Sequence, residues 1–222
     1  MELVSVVAAK AVWFVDTRDI NPHGLSLRHT LFPALVERYK FASYPKEIDS
    51  DPNKEPGDKF TSGEFRNAQG LDVMINFITF DDGIVAETRS STRDCEAFLD
   101  ELLEWAVKDF GLTFYPEMIR KKGHISELIV KSAYSPASLN PQLQRFADKL
   151  SSLVYFENGT LPFEPSGISF SPNTNTAIKP SAFIFERAAD EPFSKNRYYS
   201  KAPIHTDIHL DMLNELEQIF RG

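Results

Sequence analysis

The stretch Thr92-Arg93-Asp94-Cys95-Glu96-Ala97-Phe98-Leu99-Asp100-Glu101-Leu102-Leu103-Glu104 returns in altered form as Thr206-Asp207-Ile208-His209-Leu210-Asp211-Met212-Leu213-Asn214-Glu215-Leu216-Glu217-Gln218. A shift of 114 positions superimposes Thr92 on Thr206, Phe98 on Met212, Leu99 on Leu213, Glu101 on Glu215 and Leu102 on Leu216. Apolar residues spaced three and four apart make each copy an amphipathic helix. In a chain built from two copies, each helix needs an equivalent set of strands to cover, so the echo constrains the whole fold.

Further blocks repeat in the same order. Ile125-Ser126-Glu127-Leu128-Ile129-Val130-Lys131 follows Val4-Ser5-Val6-Val7-Ala8-Ala9-Lys10 at a shift of 121, with both serines and both lysines coinciding. The run from Val4 to Val15 is apolar on both alternating sets and predicts a strand with little solvent on either face. Asp16 to His29 reads as a loop by its turn residues, and a helix is predicted from Leu31 to Tyr39 with Thr30 as its N-cap. Its counterpart begins at Asn140-Pro141, an N-cap followed by proline in the first turn, and Leu143, Phe146, Ala147, Leu150 and Leu153 form its apolar stripe. Glu47 to Lys59 is an acidic loop rich in proline and glycine. Strands are predicted over Phe60–Arg66, Leu71–Phe80 and Ile84–Arg89, the last two joined by a hairpin turn at Asp82-Gly83. The helix after Ser90-Ser91 is expected to start on a Thr92 cap, matched by Thr206, and to stop at Gly111 in a left-handed conformation.

Each copy therefore reads β-α-β-β-β-α, with lobes at 1–111 and 125–222 and a linker at 112–124 that holds the basic run Arg120-Lys121-Lys122. The expected fold is α+β: a tandem pseudo-repeat forming one antiparallel sheet with helices on one face. This order resembles the TATA-binding-protein-like topology, whose repeat is β-α-β4-α; a tandem ferredoxin-like pair is the alternative architecture. The resemblance implies a fold only. No position matches that family's intercalating residues, and the charge balance has the opposite sign.

That charge balance limits the partners. The net charge of −8 arises entirely in the first half: residues 1–111 carry 12 Lys/Arg against 20 Asp/Glu, and residues 112–222 carry 12 against 12. Nucleic-acid affinity rests on Lys and Arg neutralising phosphates, so it is disfavoured. One cysteine, Cys95, excludes an intramolecular disulfide and fits a reducing, cytoplasmic setting. No secretory leader or membrane span is read at the N-terminus, where Lys10 interrupts the apolar run.

Candidate chemistry is sparse. His205, Asp207 and His209 are metal-ligand types, but Asp207 and His209 stand two apart on a helix and diverge, so no metal or cofactor is expected there. Cys95 falls in the first turn of its helix with no histidine tied to it by sequence, and a buried, unreactive thiol is expected. Asp72, Asp81, Asp82 and Glu87 are hairpin carboxylates of the kind found in metal-dependent nucleases, here without the accompanying lysine. Lys195, Arg197, Tyr198 and Lys201, with Arg187, mix bases and aromatics as single-strand binders do, and equally fit an edge strand guarded by lysines. Phosphate-binding glycine motifs are missing.

The expected function is a non-catalytic binding or assembly subunit, with a protein partner or a second copy covering an apolar sheet face at Met74, Ile78 and Phe80. The alternatives are a nucleic-acid or nucleotide binder through the basic and aromatic segment, and a metal-dependent hydrolase or nuclease.

Overall fold

Alternation along the strands decides where the core lies, because successive side chains of a strand point to opposite faces. In the computed structural model, which describes residues 1–45, 57–156, 159–160, 162–173 and 179–221, the elements in chain order are β1 (Glu2–Phe14), α1 (Thr17–Ile20), α2 (Leu31–Tyr39), β2 (Asp58–Arg66), β3 (Asp72–Phe80), β4 (Gly83–Thr88), α3 (Thr92–Phe110), β5 (Lys121–Lys131), α4 (Pro141–Leu153), β6 (Tyr155–Phe156), β7 (Gly159–Thr160), β8 (Gly167–Phe170), β9 (Phe183–Arg187), β10 (Arg197–Ala202) and α5 (Thr206–Arg221). Eight strands form one sheet in the order β2-β3-β4-β1-β5-β10-β9-β8, and β6 pairs with β7 separately. The protein is α+β with an antiparallel sheet.

Two compact units divide the chain. One comprises Ala8–Ser126 with Ile204–Thr206, and the other Met1–Val7, Glu127–Pro203 and Asp207–Gly222. They are named below for their central aromatic residues, Trp13 and Tyr198. In the Trp13 unit, Ala11 and Trp13 of β1, Phe60 and Phe65 of β2, Ile75 and Phe77 of β3, and Ile84 and Ala86 of β4 all turn toward the helices. They meet Leu31, Phe32, Leu35 and Tyr39 of α2 and Cys95, Phe98, Leu99, Leu102, Leu103 and Ala106 of α3. In the Tyr198 unit, Leu128, Val130, Phe185 and Tyr198 pack with Leu213 and Phe220 of α5. There the Phe185 and Tyr198 rings stack with centroids 4.6 Å apart.

Several local expectations need correction. The hairpin between β3 and β4 turns on Asp81 and Asp82, with Phe80 paired to Gly83. Neither the two aspartates nor Gly83 takes positive φ. Gly83 serves space instead: a Cβ there would lie 2.8 Å from the Trp13 carbonyl oxygen. The N-cap of α3 is Ser91, whose extended backbone lets its Oγ accept from Asp94 N at 3.1 Å, and Thr92 is the first helical residue. Thr30 precedes α2 but makes no cap bond, because its hydroxyl donates to Ser26 O at 2.6 Å and the Leu27 carbonyl already accepts from Leu31 N and Phe32 N. The segment Asp16–His29 contains the short helix α1, capped by Asp16.

β1 is less enclosed than its apolar run predicts. β4 pairs only with Ala9 to Phe14, and Leu3, Val4 and Val7 near the start of the strand are exposed. α4 starts as expected, with Asn140 Oδ1 accepting from Gln142 N at 2.9 Å. Of its stripe only Ala147 is buried, while Leu143, Phe146 and Leu153 stand 54%, 61% and 64% exposed. The expected linker contains a 3-10 turn at Pro116–Met118 and the first residues of β5. Most of the acidic loop from Glu47 lies outside the described residues, and its last two residues, Asp58 and Lys59, open β2.

α3 ends as the sequence reading anticipates. Gly111 has φ 66° and ψ 26°, and Leu112 N reaches back to Ala106 O. Gly83 and Gly111 therefore fail for different reasons on substitution. Gly83→Ala should cost roughly 1–3 kcal/mol through overpacking against Trp13, and Gly111→Ala roughly 1 kcal/mol through backbone strain. Urea titrations of the two variants, followed by circular dichroism, test the order.

Candidate functional site

On the face of the Trp13 unit away from its helices, the strand register builds rows. Ile78 of β3 pairs with Val85 of β4, which pairs with Val12 of β1; Phe80 pairs with Gly83, which pairs with Phe14. A third row reads Asn76, Glu87, Lys10. The aliphatic and aromatic members of these rows are half-buried, Gly57 lying against the Phe80 ring, and Met74 near the start of β3 is 67% exposed. An antiparallel sheet covered on one side ordinarily shows a polar second face. Here β1, β3 and β4 present a second apolar band. Lys10 Nζ lies 2.6 Å from Glu87 Oε2, so the polar row is internally neutral. Lys59 and Glu64 of β2 stand opposite Ile78 and Met74, adding one further charge of each sign.

The basic and aromatic segment is arranged differently from either expectation. β10 lies between β5 and β9 in the sheet, so it is an interior strand rather than an edge. Its alternate residues Tyr198, Ser200 and Ala202 are buried. Tyr198 is spent on the Phe185 ring and is not presented to a ligand. The cations have acidic partners: Lys195 and Arg197 meet Glu191 at 3.0 and 2.9 Å, and Lys201 meets Glu127 at 3.3 Å. Arg187 pairs with Glu164 and donates to Phe193 O.

The hairpin carboxylates do not converge. Asp72 and Asp82 flank opposite ends of the nine-residue strand β3, a span on the order of 30 Å at about 3.3 Å per residue. Asp72 binds Arg66, and Glu87 is held by Lys10 and Asn76. Cys95 is fully buried, donates to Ala9 O at 3.2 Å, and burial pushes its thiol up to about 12. It is not a poised nucleophile.

The three C-terminal residues weighed as ligands separate. His209 is buried in the Tyr198 unit, where its Nε2 lies 2.9 Å from Ser200 Oγ, and Asp207 sits in the first turn of α5. His205 belongs to the Trp13 unit and stands just before the first residue of α5. Its position is fixed by a buried reciprocal pair: Thr206 N donates to Thr92 Oγ1 at 3.0 Å and Thr92 N donates to Thr206 Oγ1 at 3.1 Å. His205 Nδ1 lies 3.2 Å from Thr92 Oγ1 and 3.9 Å from Glu96 Oε2. His124, in β5, places Nε2 3.0 Å from Glu96 Oε1, and the His124 and His205 rings lie with centroids 3.7 Å apart and planes tilted by 33°. Sequence reasoning did not join Glu96 and His124 to His205. The available signal was the echo itself: once Thr92 and Thr206 meet, Glu96 lies one helical turn from Thr92 on the same face, next to the residue preceding Thr206.

No family model matches the chain, and no curated protein does. Among solved structures it is similar to Methanococcus jannaschii TBP, with 12% identity, a TM-score of 0.42, and coverage of 99% of this chain and 97% of that one.

The buried His209 carries a pH signature. Burial pushes its imidazole from 6.5 down to about 4, so between those values the unfolded state binds a proton that the folded state refuses. Stability should fall as pH drops from about 6.5 toward about 4, by at most about 1.4 kcal/mol per pH unit. Urea melts at stepped pH should show this slope in the wild type and its loss in His209→Gln, whose overall stability is lower.

Proposed function

We propose that the protein is a non-catalytic binding and assembly subunit, a duplicated chain whose first lobe (1–111) docks a second copy through the helix-free sheet face at Met74, Ile78 and Phe80. The observation that carries this reading is the apolar band across β3, β4 and β1, backed by a core on the other face of the same strands. A strand apolar on both faces needs two burial partners, and the chain's own helices supply one. The choice of occupant follows from charge. The chain carries −8 overall, whereas the band is flanked by Lys10, Glu87, Lys59 and Glu64, two of each sign. Two acidic chains can meet there without opposing like charges, and a two-fold contact requires a patch complementary to itself. A phosphate backbone would find no excess of cations on this face.

The second lobe (125–222) is read as the other copy of the duplication, supported by the colinear echoes and by the sheet order, in which β1, β4, β3 and β2 are matched outward by β5, β10, β9 and β8. The buried thiol of Cys95 supports a reducing compartment such as the cytoplasm. No helix among the described residues is long and apolar enough to cross a membrane.

Light scattering after gel filtration should return twice the 25.2 kDa chain mass for the wild type. Ile78→Asp should return the single mass with an unchanged circular dichroism spectrum, since burying one such side chain contributes roughly 1.5–3 kcal/mol, a tenfold or greater loss of association. A wild type that stays monomeric at roughly 100 µM, where a dimer with a Kd of about 10 µM would be mostly formed, removes the reading.

A further inference from the structure

Glu96, His124 and His205 are the one group of His, Cys, Asp and Glu side chains among the described residues whose ligand atoms could share an ion: one atom from each lies within 4.8 Å of the others. All three belong to the Trp13 unit. They come from α3, from β5 and from the residue before α5, and their side chains are 18%, 14% and 18% exposed. The cluster stands apart from the apolar sheet face, on the side where α3 packs.

We infer that Glu96, His124 and His205 form a binding site for a divalent transition-metal ion of the zinc class. Two neutral imidazoles and one carboxylate are the donor set such ions select, in contrast to the all-oxygen sets of Ca²⁺ and Mg²⁺. The spacing fits. Bonds of about 2.0–2.1 Å at tetrahedral angles separate ligand atoms by about 3.3 Å, and the observed separations are 3.0 Å from Glu96 Oε1 to His124 Nε2 and 3.9 Å from Glu96 Oε2 to His205 Nδ1. Small side-chain rotations bring both to one ion. Binding replaces the His124 Nε2–Glu96 Oε1 hydrogen bond by metal bonds, the neutral imidazole then carrying its one proton on Nδ1, and exchanges the contact of His205 Nδ1 with Thr92 Oγ1 for a further metal bond. Three ligands leave a fourth position for water or for an incoming group.

The backbone supports the arrangement. The Thr92–Thr206 exchange holds the residue next to His205, and Glu96 follows Thr92 by one turn of α3, so two of the three ligands are placed by a single buried pair of hydrogen bonds. The ion would act as a staple joining β5, α3 and the residue before α5, and it would raise the melting temperature with the logarithm of the free ion concentration once that exceeds Kd.

The test uses tag-free, full-length protein stripped with a chelator and titrated with Zn²⁺ in a calorimeter, with Co²⁺ absorption reporting the ligand field. One equivalent should bind, with a rise in melting temperature. Affinity should fall roughly tenfold or more in His124→Ala, in His205→Ala and in the nearly isosteric Glu96→Gln, while the double variant His23→Ala/His29→Ala binds as the wild type does. Should an alanine variant fail to fold, the Glu96→Gln titration and zinc-induced shifts of the His124 and His205 ring protons in the wild type decide. Absence of stoichiometric binding in the folded wild type overturns the inference, and so does equal affinity in Glu96→Gln or in the His124→Ala/His205→Ala double variant.

Discussion

The Phe98 ring holds the Trp13 unit in register. It meets Tyr39 of α2 at 4.9 Å, Phe65 of β2 at 5.7 Å and Phe77 of β3 at 5.9 Å, each edge to face or nearly so. One fully buried side chain of α3 thereby touches the other long helix of its unit and two strands. Edge-to-face contacts among aromatics contribute about 0.5–1.5 kcal/mol each beyond the area they bury. Their larger effect is on pairing. A slip of β3 by one residue would send Phe77 to the open face and bring Asn76 or Ile78 against α3, so the same ring that closes the core dictates which side chains the sheet shows to the outside.

Polar groups in the unit are placed with similar economy of partners. Lys10 and Glu87 neutralise one another in the middle of the open face, and Arg38 meets Glu101 while resting over Trp105. Exposed pairs of this type contribute little to stability.

Element type and order were legible because they rest on local periodicity: the α2, α3, α4 and α5 stripes, the Asn140 and Gly111 caps, and the choice of Ile75 and Phe77 as inward residues all follow from spacing along one segment. What was missed depends on partners distant in sequence. Gly83 after two aspartates looks like a positive-φ turn residue, and only the closeness of the Trp13 carbonyl reveals that it makes room for a neighbouring strand. Lys195 to Lys201 reads as an edge because its cations suggest solvent, but those cations are matched by Glu191 and Glu127. Leu143, Phe146 and Leu153 of the α4 stripe are exposed, which no helical periodicity can foretell. His205 was noticed for its neighbours in sequence, Asp207 and His209, whereas its neighbours in space are Glu96 and His124.

β1 precedes both of its sheet partners in the chain, and it sits in the interior of the sheet with β4 on one side and β5 on the other. Its hydrogen-bonding edges therefore wait through synthesis of more than a hundred residues before the second partner, ending at Lys131, is available. An apolar strand held open that long is a template for pairing with other nascent chains. Lys10, near the middle of the strand, puts a charge into that template until Glu87 arrives to meet it.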